Sequence, residues 1–213
     1  MLGLLRSYLG VLSSFFLLSA LSTASQLPNL LLRLRSETSP QHEALEQNDF
    51  NQALTAGTLT APGTAYFLAK MYGFLVPYEA ALQQHAADFS PAWQVPERMR
   101  AHLILTDLER LESAPDLPLC PVMPPLRTRP QLLGAMYVVE GSTLGGQVIT
   151  RQLAQAGISL RAYFTGYGAL TGPRWKAFCQ LLMEAAPTGP DQDEIVASAR
   201  LTFQRLDQWI TQL

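Results

Sequence analysis

A histidine and a glutamate one helical turn apart are the first chemically distinctive pair in this sequence. His42 follows Leu34 and Thr38 on an apolar stripe of helical spacing, so its imidazole is expected to face inward. An inward imidazole is either a core histidine satisfied by a hydrogen bond or a metal ligand. Glu46, at i+4, could accept the N–H of the ring nitrogen that does not bind the metal, as carboxylates commonly do for ligating histidines. Arg35 lies two turns earlier on the same face, about 10 Å away at the usual helical rise. It is either a solvated surface charge or a cation for an acidic group of the ligand.

Three glycines interrupt a second stretch that otherwise has helical spacing. Gly141, Gly145 and Gly146 fall within six residues, and a glycine inside a helix costs about 1 kcal/mol relative to alanine. Such a cluster indicates either close packing of two helices or a flat ligand lying against a kinked helix. Gly141 and Gly145 share a face, which suits both interpretations. The stretch is not a nucleotide-binding loop, because no strand precedes it and the Gly-x-Gly-x-x-Gly order is absent.

Length, composition and charge narrow the classes of protein that this chain could belong to. Its 213 residues are typical of a single domain, and 48% of them are hydrophobic, enough for a sizeable core. The formal net charge of -2 gives no bulk attraction for nucleic acid or for an anionic membrane. Cys120 and Cys179 have neither CxxC nor metal-ligand spacing, which excludes a disulfide framework and the usual structural zinc site.

Residues 1–25 precede the helical pattern and are left out of the fold prediction. One basic residue, Arg6, an apolar run over 11–18 and small residues at 22 and 24 are typical of a secretory signal peptide. Serines interrupt the run, so it does not predict a membrane span. The alternative is a misassigned start codon, with the native chain beginning near Gln26. We therefore expect one domain over 26–213 and a cytoplasmic protein, or an exported one if the signal peptide is genuine.

The rest of the chain predicts an all-α domain. Apolar spacings of three and four recur from residue 29, and no segment alternates between turn signals as a strand would. Gly57 and the cluster at 60–63 mark a break, and Pro77 either bends its helix or marks a first turn. The stretch 115–130 is rich in proline and 157–173 in turn residues, so both are expected to be irregular. The further predicted helices cover 64–84, 99–112, 131–156, 175–186 and 191–213.

The histidine and glycine motifs together resemble the haem oxygenase family, particularly its bacterial, biliverdin-producing branch, some members of which supply bilin to phytochromes. The resemblance covers most of the chain from about residue 30. Its most specific parts are 35–46 and 137–147, with a third match at 163–168 and 175–178. It implies a single-domain helical bundle in which haem is sandwiched between a proximal helix and a kinked distal helix. Haem would be both cofactor and substrate, cleaved with O2 to biliverdin, carbon monoxide and ferrous iron.

Carried onto this chain, the resemblance implies a role for each motif residue. His42 would be the proximal iron ligand and Glu46 its hydrogen-bond partner. The kinked part of the distal helix over the haem would contain Gly141, Ser142, Gly145 and Gly146. Substrate contacts would come from Arg35 and Lys176 at the propionates, and from Thr38, Tyr137 and Phe203 elsewhere in the pocket.

Two positions depart from the family pattern. In animal members an aspartate follows the first distal glycine and orders water near the bound oxygen, whereas this chain has Ser142. Bacterial members with the Gly-Ser-x-Leu-Gly pattern also lack the acid, so we still expect activity. Ser142 and the backbone carbonyls of the kink are candidates for ordering that water. Gln180 stands where some members have a further propionate-binding arginine.

The chain has no flavin or iron–sulfur motif, so the electrons must come from a partner. We expect a ferredoxin, a flavodoxin or a reductase as donor, and a bilin-binding phytochrome is a candidate acceptor of the product. We expect no nucleic-acid partner and no firm membrane association. The alternative function is a haem-binding or haem-transfer protein on the same fold without ring opening. A di-iron oxidase needs the Glu-x-x-His spacing that His85 and His102 lack, and a thiaminase-like hydrolase needs an active-site cysteine.

Overall fold

The computed structural model describes residues 29–109, 111–112, 115–186 and 189–212, and these residues form helices and loops with no strand. The interpretation of residues 1–25 lies outside the described part. No helix within the described ranges is both long enough and apolar enough to cross a membrane. The α-helices are α1 (Asn29–Leu45), α2 (Asp49–Ala56), α3 (Ala61–Gln84), α4 (Ala101–Leu108), α5 (Arg129–Gly141), α6 (Gly146–Gln155), α7 (Ala162–Thr165), α8 (Thr171–Ala185) and α9 (Gly189–Thr211). Short 3₁₀ segments lie at Ala86–Asp88, Pro91–Trp93, Pro96–Arg98, Ser142–Gly145 and Gly168–Leu170.

The break between α2 and α3 follows from local capping chemistry. Gly57 ends α2 in the left-handed conformation at φ 69°, which a glycine adopts without steric cost. Thr60 begins α3, because its side chain accepts a hydrogen bond from the Gly63 N–H at 3.2 Å. The cluster at 60–63 therefore includes the first turn of α3, and the helix starts before the predicted residue 64.

Two further predictions about helix bounds are corrected by the structure. Pro77 lies well inside α3, so the alternative that it marks a first turn is wrong. The helix predicted over 99–112 is shorter at both ends, since α4 begins at Ala101 and ends at Leu108. Its N-terminus is bonded by the carboxylate of Glu79, which is distant in sequence and which helical spacing alone does not reveal.

Helices α5 and α9 form the centre of the bundle. Residues 132–140 of α5 are all buried, and α9 crosses this stretch at Gly134. A Cβ on Gly134 would meet the Ile195 carbonyl oxygen and would lie 2.7 Å from the Cβ of Ser198. Because the missing side chain lets the two backbones touch, α9 packs closely against α5. The other side of α9 packs on α1, where Arg33 bonds Asp193 at 2.7 Å. One helix thus holds α1 and α5 in a single body.

The helix predicted over 131–156 consists of three consecutive segments. Helix α5 ends at Gly141, a 3₁₀ segment covers Ser142–Gly145, and α6 begins at Gly146. A 3₁₀ turn is tighter than an α turn and shifts the backbone hydrogen bonds from i+4 to i+3. The prediction that this helix is interrupted at its glycines is confirmed. We call residues 139–146 the kink.

Candidate functional site

The His42 imidazole lies near the C-terminal end of α1 and is not enclosed by the core. Its side chain is 49% exposed, although the sequence predicted an inward-facing ring. Nδ1 is 3.5 Å from Oε1 of Glu46, which lies in the turn directly after α1. The Phe203 ring of α9 contacts the imidazole edge-on, with the ring centroids 5.4 Å apart. A carboxylate and an aromatic ring therefore orient the imidazole while half of its surface remains accessible.

Thr38 is buried one turn before His42, and its hydroxyl bonds within the helix. Oγ1 donates to the Leu34 carbonyl at 2.6 Å. Pro40 lies between Thr38 and His42 in the same helix. Because proline has no backbone N–H, the helical hydrogen bond to the carbonyl four residues earlier is missing there. Thr38 is only 3% exposed and its hydroxyl is bonded within the helix that carries the imidazole, so its contact with a ligand stays a prediction.

Tyr137 of α5 lies near Arg35 of α1 and Cys179 of α8, both of which influence its pKa. Burial raises the pKa of Tyr137, the nearby Cys179 adds to the rise, and the positive charge of Arg35 opposes it. Burial also raises the pKa of the Cys179 thiol to about 12. Arg35 and Lys176 are both exposed, on α1 and on α8. The two cations predicted to bind acidic groups therefore lie on helices that flank the buried Tyr137.

Trp175, for which the sequence motifs predicted no role, connects Tyr137 to Gly141 of the kink. Its ring centroid is 5.6 Å from that of Tyr137 and 5.6 Å from that of Phe178. A Cβ added to Gly141 would lie 3.6 Å from the Trp175 ring, an ordinary van der Waals contact. The only sequence signal for this contact is an aromatic residue one helical turn before Phe178.

The three glycines of the motif have different surroundings. A Cβ on Gly145 would meet nothing within 4 Å among the described residues, whereas a Cβ on Gly146 would collide with the Phe164 carbonyl oxygen of α7. Gly146 is thus bare because another segment packs on it, which is the helix-packing interpretation. Gly141 and Gly145 have room for a methyl group, so packing within the described chain does not require glycine at either position.

Side-chain hydroxyls bond the last carbonyls of α5 at the kink. The Ser142 hydroxyl donates to the Val139 carbonyl at 2.7 Å, and Thr143 Oγ1 donates to the Glu140 carbonyl at 2.6 Å. The Ser142 hydroxyl is also a hydrogen-bond partner of Tyr163, an interaction that lowers the Tyr163 pKa against the larger raising effect of burial. Ser142, which stands where animal family members have the aspartate, therefore bonds both its own helix and Tyr163 of α7.

A buried ionic cluster lies behind the kink, and sequence spacing did not reveal it. Nη1 of Arg98 is 2.6 Å from Oε2 of Glu140, and both side chains are at least 97% buried. Tyr167 donates its hydroxyl to Oε1 of the same carboxylate at 3.0 Å. Burial, with the Glu140 charge second, raises the pKa of Tyr167 to about 12. A buried carboxylate is stable in this setting because a cation and a hydroxyl both bond it.

Helix α4 positions the elements around this cluster. The fully buried Asp107 accepts the Ala162 N–H at 2.8 Å and the Tyr163 N–H at 2.9 Å, which fixes the start of α7. Since Phe164 of α7 lies against Gly146, α4 supports the kink through α7. No group of three or more His, Cys, Asp or Glu side chains able to hold a metal occurs among the residues that the structure describes.

The fold and the site fit the class of helical proteins that hold a planar, metal-containing ligand between two helices. A family model described as Heme oxygenase matches residues 28–212. The chain therefore belongs to the haem oxygenase family, whose members degrade haem, and it is an oxidoreductase of haem catabolism.

Individual relatives agree with this membership. A heme oxygenase of Xanthomonas campestris pv. campestris (strain 8004) is 27% identical over 155 residues, covering 71% of this chain and 91% of that protein. The structure of heme oxygenase from Leptospira interrogans has a TM-score of 0.71 at 20% identity and covers 86% of this chain and 99% of its own. Heme oxygenase-1 of Synechocystis sp. PCC6803 in complex with heme has a TM-score of 0.66 at 18% identity, covering 85% and 90%. The two structural likenesses support the all-α fold.

Proposed function

We propose that this chain holds haem between α1 and the kink and opens the ring with O2, releasing biliverdin, carbon monoxide and ferrous iron. The observation that carries the proposal is the His42 imidazole, which two neighbours orient and the core does not enclose. Haem is the substrate, and the oxidative chemistry belongs to its iron and its ring. The chain supplies a ligand, a shaped distal surface and charges for the acidic groups.

His42 suits an iron ligand because its two ring nitrogens have different surroundings. Nδ1 faces the Glu46 carboxylate, so Nε2 is the nitrogen left for the iron. A carboxylate that accepts the Nδ1 proton fixes the tautomer and raises the basicity of the ligating nitrogen. The buried Phe203 restricts ring rotation from the other side.

The distal surface would come from Gly141, Ser142 and Gly145. A side chain at Gly145 would project into space that nothing described in the chain fills, and bound O2 needs such space close to the ring. Because glycine has no side chain, the backbone there would leave room for O2 close to the edge of the ring, beside the carbon that is attacked. Gly146 contributes indirectly, by allowing α7 to pack against the kink.

The acidic groups of haem would lie at the exposed edge between α1 and α8. Arg35 and Lys176 are exposed cations on these helices, and cations near the propionates would set the rotation of the ring and hence the carbon attacked. Gln180 donates to Glu184 at 3.1 Å, so this amide is bonded within its own helix. Tyr137 would form part of the apolar wall below the edge.

Electrons and the handling of the product would involve partners. We propose an external donor, a ferredoxin, a flavodoxin or a reductase, because the sequence contains no flavin or iron–sulfur motif. A bilin-binding phytochrome is the candidate acceptor of biliverdin in a chain that resembles the bacterial branch. A cytoplasmic location would match donors of this kind.

The test is an optical experiment on the chain with one equivalent of haemin. We expect a sharp Soret band that disappears, with a broad red biliverdin absorption, when ascorbate or a reductase system is added in air. His42→Ala should abolish the native spectrum, whereas the control His102→Ala, at an exposed histidine of α4, should leave it unchanged. A stable haem spectrum without bilin would favour the haem-carrier alternative, and a chain that binds no haem would overturn the proposal.

A further inference from the structure

A buried arginine from another part of the chain donates to the backbone of the kink. Nη2 of Arg100 bonds the Val139 carbonyl at 3.0 Å, and this is the carbonyl that the Ser142 hydroxyl bonds at 2.7 Å. The two donors arrive at one oxygen from residues 42 positions apart in sequence. Helical spacing could not have paired them, and the resemblance assigned no role to position 100.

The surroundings of Arg100 hold its charge in the core. The side chain is 3% exposed, and its guanidinium lies 5.3 Å from the Tyr163 ring centroid and 5.5 Å from that of Tyr167. Aromatic faces stabilise a buried guanidinium. Burial would lower the pKa of Arg100, but Tyr163, Tyr167 and Glu140 together raise it, so the group stays charged. The guanidinium is therefore held both by two aromatic rings and by its bond to the Val139 carbonyl.

The backbone of Arg100 is fixed as firmly as its side chain. Oε1 of Glu79, in the C-terminal part of α3, accepts the Arg100 N–H at 2.6 Å and the Ala101 N–H at 2.8 Å. These are free N–H groups at the start of α4, which a carboxylate stabilises. The guanidinium therefore reaches the kink from a rigid base, and its position relative to the Val139 carbonyl is set by α3 and α4.

We propose that Arg100 is a positioning residue for ring opening, one that holds the Val139 carbonyl and, through it, the Ser142 hydroxyl in a single arrangement at the distal face. The proposal rests on the proposed function, because it assigns Arg100 to the distal side of the haem site. It answers the question raised by the missing aspartate. In this chain a buried cation behind the helix orders the kink, in place of an acid pointing from it.

The consequence of losing Arg100 follows from the shared oxygen. Without the guanidinium, the Val139 carbonyl keeps only the Ser142 hydroxyl as a side-chain donor among these bonds. The 3₁₀ segment can then adopt more than one arrangement. Displacement of reacting groups by about 1 Å can cost up to about 100-fold in rate, so a smaller change of this kind should cost about tenfold. Haem affinity depends on His42, on apolar contact and on the cations at the propionates, none of which Arg100 supplies, and should change by less than about twofold.

The test is a double-mutant cycle with a spectroscopic readout. The variants are Arg100→Gln, Arg100→Lys, Ser142→Ala and the double variant Arg100→Gln/Ser142→Ala. Haem affinity, the rate of biliverdin formation and the C–O stretching band of the ferrous carbon monoxide complex are measured for each. The control is Arg174→Gln, because the Arg174 guanidinium lies 4.3 Å from the Tyr167 ring centroid but belongs to α8. The stretching band reports the field and geometry at the distal face, which a loss of stability alone would not alter.

We expect Arg100→Gln to slow bilin formation about tenfold and to shift or broaden the C–O band while haem still binds. Arg100→Lys should shift the band less than Arg100→Gln, because lysine keeps the positive charge although it lacks the planar guanidinium. Ser142→Ala should move the same band, and the double variant should add little to Arg100→Gln. An unchanged band in both Arg100 variants, or fully additive effects, would overturn the proposal. If Arg100→Gln does not fold, the Lys variant decides. Failure of the proposed function is distinguishable, because it would appear as no bilin from the unsubstituted chain.

Discussion

The glycine motif contains two kinds of glycine, although the sequence presents them as one cluster. Gly146 is required by the fold, since the Phe164 carbonyl occupies the position of its missing side chain. No described residue lies within 4 Å of a Cβ placed on Gly145, so packing among the described residues would accept alanine there. A requirement for glycine at 145 must therefore come from whatever approaches the kink from outside the described chain.

This difference predicts opposite outcomes for two neighbouring substitutions. Gly146→Ala should lower the free energy of unfolding by about 1–3 kcal/mol, because the added methyl group forces α7 away. Gly145→Ala should leave stability unchanged or raise it by up to about 1 kcal/mol, yet slow bilin formation because its methyl group occupies space that O2 needs. Urea unfolding and the rate of bilin formation separate the two effects. Equal destabilisation in both variants would contradict this assignment.

Sequence reasoning at the residue scale succeeded where partners are close in the chain. The pairing of His42 with Glu46 follows from i+4 spacing and is present at 3.5 Å. The degree of burial was not predictable, because the apolar stripe does not show that α1 ends at Leu45, three residues after His42. The Arg98–Glu140 ion pair joins residues 42 positions apart, and its geometry arises only when α5 and the 3₁₀ segment before α4 are packed together.

At the scale of elements, α4 and the residue before it bond both α7 and the kink. Helix α4 is only eight residues long, but it carries Arg100 at its start and Asp107 near its end. Asp107 bonds the first N–H groups of α7, and α7 lies against Gly146. The sequence predicted a longer helix here because apolar spacing continues past Leu108. It could not show that the Glu79 carboxylate of α3 bonds the start of α4, or that Asp107 near the end of α4 bonds the backbone of α7.

Removal of the Asp107 carboxylate should release α7. Asp107→Ala leaves the buried Tyr163 N–H and the partly buried Ala162 N–H without their acceptor, and each such loss costs up to about 1–3 kcal/mol when the group is buried. We expect the free energy of unfolding to fall by up to that combined amount, so that urea unfolds the variant at a lower concentration. Bilin formation should also be slower, since α7 supports the kink. Asp107→Asn keeps one acceptor oxygen, so its free energy of unfolding should lie between those of the Ala variant and the unsubstituted chain. Unfolding of the Ala variant at the same urea concentration as the unsubstituted chain would show that α7 is held by other contacts.

For the whole molecule, several buried tyrosines predict sensitivity to alkali. The pKa of Tyr167 is raised by burial, and secondly by Glu140, from about 10 to about 12. Burial also raises the pKa values of Tyr78 and Tyr163. A group whose pKa is higher in the folded than in the unfolded chain stabilises the fold below the unfolded value. That contribution is lost as the pH rises through the folded value.

The free energy of unfolding should therefore fall between pH 10 and pH 12, the interval from the ordinary tyrosine value to that of Tyr167. Urea unfolding midpoints measured in steps from pH 8 to pH 11.5 would show the slope, and Tyr167→Phe should make it shallower. Tyr66→Phe, at a tyrosine that is 47% exposed, is the matched control. If Tyr167→Phe leaves the pH dependence of the unfolding midpoint unchanged, the loss of stability at high pH comes from other groups.

The different surroundings of Gly145 and Gly146 also predict which residues a selected library would carry at these two positions. In a library selected only for soluble, folded protein, position 146 should remain glycine, because Phe164 excludes every side chain there. Position 145 should accumulate alanine and other good helix formers, since the fold gains from them. Adding a second round of selection for green pigment in the colony should restore glycine at 145. The two rounds of selection would show which glycine of this six-residue motif is required for folding and which is required for the reaction.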